Sequence, residues 1–164
     1  MEFLVIEMSN VSKNVTVSVL EPSHLGEVAE LERLCFSEPW SEQALCLLTE
    51  EAAIAYVLCE DGHVVAYGGM TTVLDEGAVT NIAVHPTARR NGYGRRVTQA
   101  LLDGAREKGI QSVFLEVRES NVAARALYDS LGFRACGIRK NFYRHPVESA
   151  IQMVWSATDA LEHL

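Results

Sequence analysis

The chain has 164 residues, 48% of them apolar and 22% charged, which is typical of a single globular domain with its own hydrophobic core. A net charge of −8 argues against general affinity for nucleic acid, and no apolar run approaches the roughly 20 residues of a membrane span. Residues 1–8 are apolar but short, interrupted by acids and without a basic leader, so they make a poor signal peptide. We therefore expect a cytoplasmic protein with no membrane partner.

The chain shows no repeat, low-complexity segment or linker. We expect residues 1–14 to be an extension, 15–156 a single domain and 157–164 a tail. In the first half, alternating apolar and polar residues predict strands, and apolar residues at helical spacing predict helices. The predicted elements are a strand over 15–20, a helix after Pro22, a helix with Ser41 as its N-cap, and strands over 52–59 and 63–74 that turn at Asp61-Gly62.

The second half continues with alternating strands and helices. Its predicted elements are a strand over 78–84, a helix that ends at Lys108-Gly109, a strand over 110–117, a helix over 121–131 ended by Gly132, and strands over 133–139 and 148–155. The order βααβββαβαββ predicts an α/β fold in which a mixed sheet is covered by helices on both faces.

Charge is distributed unevenly along the chain. Residues 1–82 contain 14 acids and 2 bases, whereas residues 83–164 contain 8 acids and 12 bases. Such a split suggests one anionic and one cationic partner, and the alternative is that both halves are merely solvated. The four cysteines and five histidines lack the spacings that hold zinc, so we predict no metal site.

The segment Arg89-Arg90-Asn91-Gly92-Tyr93-Gly94 is the most informative stretch of the chain. It lies between a predicted strand and a predicted helix, where free backbone N–H groups and the helix dipole favour anions. Arginines at this helix start would be unfavourable facing water alone, and a ligand with several negative charges, such as a pyrophosphate, removes the conflict. The alternative is an ordinary basic helix start, because Gly-x-Gly alone is a weak signal.

Glu116 lies inside the segment 113–117, whose apolar residues on both faces place it centrally in the predicted sheet. Partial desolvation there would raise the pKa of the carboxyl toward the range useful for a general base. The alternative is an acid near the strand end that is exposed or paired with Arg118.

Tyr128 is a second candidate catalytic residue. Helical spacing places it on one face with Asn121 and Ala124, whereas Leu127 is expected to face the core. A tyrosine on the face away from the core, beside a small alanine, leaves room for a narrow ligand under its hydroxyl. A purely structural tyrosine is the alternative.

The basic loop resembles the acetyl-CoA loop of the GNAT superfamily of N-acetyltransferases, Gln/Arg-x-x-Gly-x-Gly/Ala, since Arg89, Gly92 and Gly94 fill every fixed position. Further blocks follow in the order and spacing of the ribosomal-protein alanine N-acetyltransferase branch of that superfamily. These blocks are 36–41, 81–84, 115–121, 126–133 and 139–143, so the similarity spans about residues 15–155. His85 departs from the branch, which more often has an acid there.

This resemblance implies a mixed, mostly antiparallel sheet and a role for each matching residue. Glu116 would accept a proton and Tyr128 would donate one. The backbone of Ile82, Ala83 and Val84 would line the acetyl and pantetheine arm of acetyl-CoA. Eight further residues are expected to hold the pyrophosphate of acetyl-CoA or to contact the coenzyme elsewhere. They are Arg89, Arg90, Asn91, Gly92, Tyr93, Gly94, Arg95 and Asn121.

The resemblance also implies acetyl transfer to a protein α-amine, with the N-terminal alanine of small-subunit ribosomal protein number eighteen as the expected acceptor. Residues 27–61, which border the acceptor groove in this family, carry nine acids against the single base Arg33, a charge that suits a basic peptide. Two alternatives stay open. One is an acetyltransferase for a small amine, polyamine or lysine, and the other is a non-catalytic acyl-CoA-binding regulatory module.

Overall fold

The computed structural model describes residues 12–159, so most of the expected N-terminal extension (1–14) and of the expected tail (157–164) lies outside the described residues. The strands and helices follow the predicted order. They are β1 (Val15–Val19), α1 (Leu25–Cys35), α2 (Glu42–Leu45), β2 (Ala53–Glu60), β3 (His63–Val73), β4 (Glu76–Val84), α3 (Tyr93–Glu107), β5 (Ser112–Arg118), α4 (Val122–Ser130), β6 (Arg134–Arg144) and β7 (Val147–Ser156).

Local capping and turn chemistry set several of these boundaries as predicted. The Ser41 hydroxyl accepts a hydrogen bond from the Ala44 N–H at 3.1 Å and so caps α2. Asp61 and Gly62 have φ of 51° and 85°, the two left-handed residues of a tight hairpin turn between β2 and β3. Gly109, with φ of 74°, ends the helix α3.

The seven strands form one sheet in the order β1-β2-β3-β4-β5-β7-β6. The pair β4–β5 is parallel, and the other neighbouring pairs are antiparallel. The mixed, mostly antiparallel sheet that the resemblance implies is therefore confirmed.

Helices cover both faces of this sheet, as the sequence predicts. Strand β2 shows the arrangement, because alternate residues enter different clusters. Ala55 and Val57 pack in a core that includes Val28 and Leu31 of α1, whereas Leu58 packs with Val97 of α3 on the opposite face. Among residues 12–159, no helix is long and apolar enough to cross a membrane.

Strands β4 and β5 separate soon after they begin to pair. Their parallel register joins residues 76–78 to residues 112–114 and goes no further. From Val79 onward, one edge of β4 has no neighbouring strand among residues 12–159, and a gap opens there between the C-terminal halves of β4 and β5. This gap positions the candidate site.

The β6–β7 hairpin is longer than predicted, since β6 runs to Arg144 rather than to residue 139. The pairing of β6 with β7 is irregular between Arg139 and Tyr143, and Asn141 adopts a left-handed φ of 53°. An irregularity of this kind breaks the alternation from which a strand is recognised, so the sequence predicted its end too early.

Candidate active site

A cavity of about 660 Å³ lies at the gap between β4 and β5. Strands β4 and β5 and helix α4 form one part of its wall. The segment of residues 36–40, which we call the 36–40 loop, and the tip of the β6–β7 hairpin form the other part. The predicted residues that line it are Ile82, Glu116, Asn121 and Tyr128, and Ala124 lies between the last two.

The backbone of β4 offers hydrogen-bond donors to this gap. The His85 N–H donates to the Val65 carbonyl of β3 at 2.8 Å, so the backbone of His85 points toward β3. Backbone groups alternate in direction along an antiparallel strand, so the N–H groups of Val84 and Ile82 point away from β3. They face the edge of β4 along which β5 is no longer paired. Ala83 pairs with Tyr67 of β3 and is buried, so it contributes to the strand more than to the cavity surface.

The glycine loop has the backbone conformation that an anion site needs. Gly92 is the N-cap of α3 with φ of 75°, a left-handed angle that favours glycine. The first N–H of α3 that finds an acceptor within the helix is that of Arg96, which donates to the Gly92 carbonyl at 3.1 Å. The N–H groups of Tyr93, Gly94 and Arg95 precede it and are open to a ligand.

Most side chains of this loop hold the loop itself. The Arg89 Nε donates to the Val84 carbonyl at 3.3 Å, and the Asn91 amide donates to the Ala88 carbonyl at 2.9 Å. The hydroxyl of the buried Tyr93 donates a hydrogen bond to Glu60 at 2.6 Å, and this bond is the largest cause of the lowered pKa of that carboxyl. These side chains therefore serve the loop conformation.

The two remaining arginines of the predicted set differ from each other. Arg95 donates to the Ser130 hydroxyl at 2.8 Å, which ties the start of α3 to the end of α4. Arg90 is exposed and has a left-handed φ of 67°. A non-glycine residue in that conformation is uncommon.

Glu116 is half-buried on β5, with 23% of its side chain exposed. Its Oε1 lies 3.6 Å from Nε of Arg139. Arg118 instead pairs with Glu148 at 3.4 Å, so the alternative in which Arg118 neutralises Glu116 is wrong. The carboxylate lies inside the cavity wall with a cation from β6 beside it.

Tyr128 packs against the core, contrary to the expectation that it faces away from it. Its ring meets Phe133 edge-on at 5.8 Å between centroids, whereas Leu127 approaches Gly94 at the start of α3. Tyr128 lines the cavity all the same, together with Asn121 and Ala124. Burial raises the pKa of Tyr128 to about 12, and within residues 12–159 its hydroxyl makes no hydrogen bond.

Asn121 has a structural task that its place in the motif did not reveal. Its Oδ1 accepts the Ala124 N–H at 3.1 Å and so caps the N-terminus of α4. The residue also lines the cavity, and its Nδ2 remains available there as a donor.

The tip of the β6–β7 hairpin is tied to the 36–40 loop and to β5, a connection that the sequence did not reveal. The Ser37 hydroxyl donates to the His145 carbonyl at 3.0 Å, and Glu38 lies 3.6 Å from the His145 ring. Arg118 donates to the carbonyls of Pro146 and His145 at 3.0 and 3.3 Å. Ser37 and His145 are 108 residues apart, so no local pattern could have joined them.

The charges around the cavity are mixed. Glu38 and Glu116 line it together with Arg118 and Arg144. Most of the nine acids of residues 27–61 lie elsewhere, so the uneven charge of the chain is only partly expressed at the site.

Residues 25–133 match the model of the acetyltransferase (GNAT) family. The ribosomal protein bS18-alanine N-acetyltransferase of Escherichia coli K12 is 38% identical over 128 residues, which are 78% of this chain and 86% of that protein. Its counterpart in Haemophilus influenzae is 36% identical over 130 residues, covering 79% of this chain and 88% of that protein.

Two solved structures are similar in fold. The crystal structure of the ribosomal-protein-S18-alanine N-acetyltransferase from Escherichia coli has a TM-score of 0.81 at 36% identity, covering 87% of this chain and 94% of that one. Ard1 from Thermoplasma volcanium has a TM-score of 0.78 at 25% identity, covering 87% of this chain and 97% of that one.

Proposed function

The chain belongs to the acetyltransferase (GNAT) family, and from this premise we propose that it transfers the acetyl group of acetyl-CoA to the N-terminal alanine of ribosomal protein bS18. One observation carries the proposal: Glu116 and Tyr128 line the same cavity, at the gap beside the free backbone of β4. A basic ribosomal protein as acceptor fits a cytoplasmic enzyme, and the proposal requires neither a membrane nor direct binding of nucleic acid.

Two parts of the chain are proposed to hold acetyl-CoA. The N–H groups of Tyr93, Gly94 and Arg95 bind the pyrophosphate at the start of α3, and the exposed Arg90 adds charge there. The N–H groups of Ile82 and Val84 face the pantetheine and acetyl arm, which occupies the place of a neighbouring strand. This arrangement explains why β5 separates from β4 after only three paired residues.

Glu116 is proposed as the proton acceptor of the reaction. An α-ammonium group has a pKa of about 8, so a modest base is enough to free its lone pair. The carboxylate takes one proton from the ammonium, directly or through a water molecule, and the amine attacks the thioester carbonyl. A backbone N–H of residues 82–84 stabilises the oxyanion, an interaction typically worth about 10²–10³ in rate.

Tyr128 is proposed as the proton donor. When the C–S bond breaks, the sulfur of coenzyme A leaves with the electron pair and takes the proton of the Tyr128 hydroxyl. The attacking nitrogen loses its second proton as the amide forms, and that proton restores the hydroxyl through water, while the proton on Glu116 passes to solvent. Burial keeps the hydroxyl protonated, since it raises the pKa of Tyr128 to about 12. The amine attacks the thioester of acetyl-CoA directly and gives an amide and a thiol. The transfer therefore needs no covalent enzyme intermediate.

The proposal is tested by mass spectrometry of products formed with acetyl-CoA and a panel of acceptors. The panel contains a basic peptide that begins with alanine, the same peptide beginning with serine, an acidic peptide that begins with alanine, a lysine peptide with a blocked N-terminus, and spermidine. We expect the basic alanine peptide to react fastest, on its α-amine. Preference for spermidine or lysine would overturn the substrate, and no product from any acceptor would favour a non-catalytic coenzyme-binding module.

A further inference from the structure

Glu32 lies on the buried face of α1, one helical turn after Val28, and is fully buried. Placing a carboxylate in a protein interior is costly unless hydrogen bonds replace its hydration. Such a residue is therefore a place to look for a function beyond packing.

Three neutral donors surround this carboxylate. Its Oε1 accepts hydrogen bonds from the Tyr67 hydroxyl and from Nδ2 of Asn81, the latter at 2.8 Å. Its Oε2 accepts the backbone N–H of Trp40 at 3.1 Å. Within residues 12–159, no lysine, arginine or histidine lies within ion-pair distance of it.

Glu32 holds both ends of the 36–40 loop. Its backbone carbonyl accepts the Phe36 N–H at 3.0 Å, and its side chain accepts the Trp40 N–H. Four of the five residues of this loop line the cavity: Phe36, Ser37, Glu38 and Trp40. The loop in turn holds the hairpin tip through Ser37, so the position of the wall opposite the coenzyme strand depends on Glu32.

The Oε1 atom of Glu32 contacts residues on or beside strand β4, which is the strand proposed to face the coenzyme. Asn81 lies on β4 next to Ile82, whose N–H points into the gap, and Tyr67 pairs with Ala83 across β3 and β4. One carboxylate thus joins the 36–40 loop to the strand that faces the acetyl group.

We propose that Glu32 is a positioning residue for the acceptor, fixing the 36–40 loop at the distance from β4 at which an acceptor amine meets the acetyl group. This inference rests on the proposed function. Glu32 itself lies beneath the cavity surface and acts through Trp40 and Asn81.

The substitution Glu32→Gln keeps the shape of the side chain but removes one acceptor. If the amide oxygen faces Tyr67 and Asn81, its NH₂ group faces the Trp40 N–H, and two donors oppose each other. The 36–40 loop is then released. We expect KM for the basic alanine peptide to rise about tenfold, which corresponds to the loss of one hydrogen bond to a charged group, while KM for acetyl-CoA changes less than about twofold.

Glu27→Gln is the matched control on the same helix. The Glu27 carboxylate also accepts a backbone N–H, that of Val64 at 2.9 Å, and so joins α1 to β3. It does not line the cavity. If Glu32 acts only by anchoring α1, the two substitutions should have similar effects on KM for the peptide, and that result would overturn the proposal.

A measurement without turnover separates this inference from the proposed function. The chain has two tryptophans, Trp40 at the end of the 36–40 loop and the buried Trp155. After labelling with 5-fluorotryptophan, Glu32→Gln should shift or broaden the ¹⁹F resonance of Trp40 and leave that of Trp155 in place. This outcome would support loop positioning even if no peptide were acetylated.

The double variant Glu32→Leu with Tyr67→Phe covers the case in which Glu32→Gln does not fold. It replaces the buried charge and its hydroxyl donor by apolar groups together, a change that proteins often tolerate. The Trp40 N–H again has no acceptor, so the same rise in peptide KM and the same ¹⁹F change are expected. An unchanged peptide KM with an unmoved Trp40 resonance, or equal changes at both tryptophans, would overturn the proposal.

Discussion

The two sides of the cavity are built in different ways. The proposed coenzyme side comes from consecutive residues, 81–95, of which Asn81 and Ile82 line the cavity, and its strand end, left-handed glycine and helix start present backbone N–H groups. The acceptor side comes from segments that are distant in sequence, such as Ser37 and His145, and depends on side chains. The coenzyme side should therefore survive changes that loosen tertiary contacts, whereas the acceptor side should not.

The electrostatics of the two sides also differ. Exposed arginines at 89, 90, 95 and 96 surround the helix start on the coenzyme side. On the acceptor side, acids and bases line the cavity together, namely Glu38 and Glu116 with Arg118 and Arg144. Binding of coenzyme should thus depend on charge, and binding of acceptor mainly on shape.

The largest effect is expected where the two sides meet. Glu116→Gln and Tyr128→Phe should each lower kcat roughly 10²-fold or more, because a positioned base or acid is lost while the cavity keeps its shape. Calorimetric titration should give nearly unchanged affinity for coenzyme A. Glu119→Gln, an exposed acid just beyond the same strand, is the control and should keep its turnover. Near-normal turnover of both active-site variants would remove these residues from the mechanism.

The coenzyme side should fail when its backbone geometry fails. Gly92→Val places a branched side chain at φ of 75° and blocks close approach of the pyrophosphate, so we expect affinity for coenzyme A to fall tenfold or more. Calorimetry on folded protein measures this.

Gly62→Val provides the matched comparison for that loop variant. Gly62 also has a left-handed φ, 85°, and no atom lies within 4 Å of the position that a Cβ would occupy there, but it belongs to the β2–β3 turn. Both substitutions should lower stability by a similar amount, about 1–2 kcal/mol. If both lowered coenzyme affinity equally, the effect would be one of stability and the loop would be only a turn.

The sequence predicts the coenzyme side of the site better than the acceptor side. The glycine loop, the β2–β3 turn and the cap at Ser41 depend on neighbouring residues, so local patterns were enough to find them. Glu116 was also found, but its partner Arg139 was not, because that contact reaches from β5 across β7 to β6 and depends on the order of the strands in the sheet. From the sequence alone, an ion pair between Glu116 and Arg118 was equally plausible.

Glu32 shows why the acceptor side was harder to predict. In a count of charges it is one of nine acids between residues 27 and 61, and such acids are usually solvated. A signal was present, because Glu32 follows Val28 by four residues on the apolar side of α1. Its partners Tyr67 and Asn81 lie 35 and 49 residues away, and only the fold brings them together.

A smaller effect is expected on the pH dependence of stability, because the pKa of Tyr128 is raised in the native protein. Burial raises its pKa to about 12, above the value of about 10 for an exposed tyrosine. The hydroxyl therefore stays protonated in the native protein between these values, whereas the unfolded chain ionises, so its contribution to stability is complete below pH 10 and is lost as pH rises through about 12.

A difference titration measures this directly. The tyrosinate absorbance of the native protein, minus that of Tyr128→Phe, should show one ionisation centred near pH 12. The other tyrosines are common to both proteins and cancel. An ionisation near pH 10 would mean that the hydroxyl is exposed to bulk water and that the cavity does not protect its donor.

Salt should affect the two sides unequally, and this is the smallest effect that we expect. Raising ionic strength beyond about 0.15 M screens surface charges, so KM for acetyl-CoA should increase several-fold, because the coenzyme is a polyanion and four exposed arginines lie around the start of α3. KM for the basic alanine peptide should increase less, since the cavity is lined by bases such as Arg144 as well as by acids such as Glu38. Arg90→Gln should reduce the salt dependence of the coenzyme KM, and Glu38→Gln should reduce that of the peptide KM by a smaller amount. A peptide KM that responds more strongly to salt than the coenzyme KM would mean that the acidic first half of the chain steers the acceptor after all, and that shape is not the main determinant of the acceptor side.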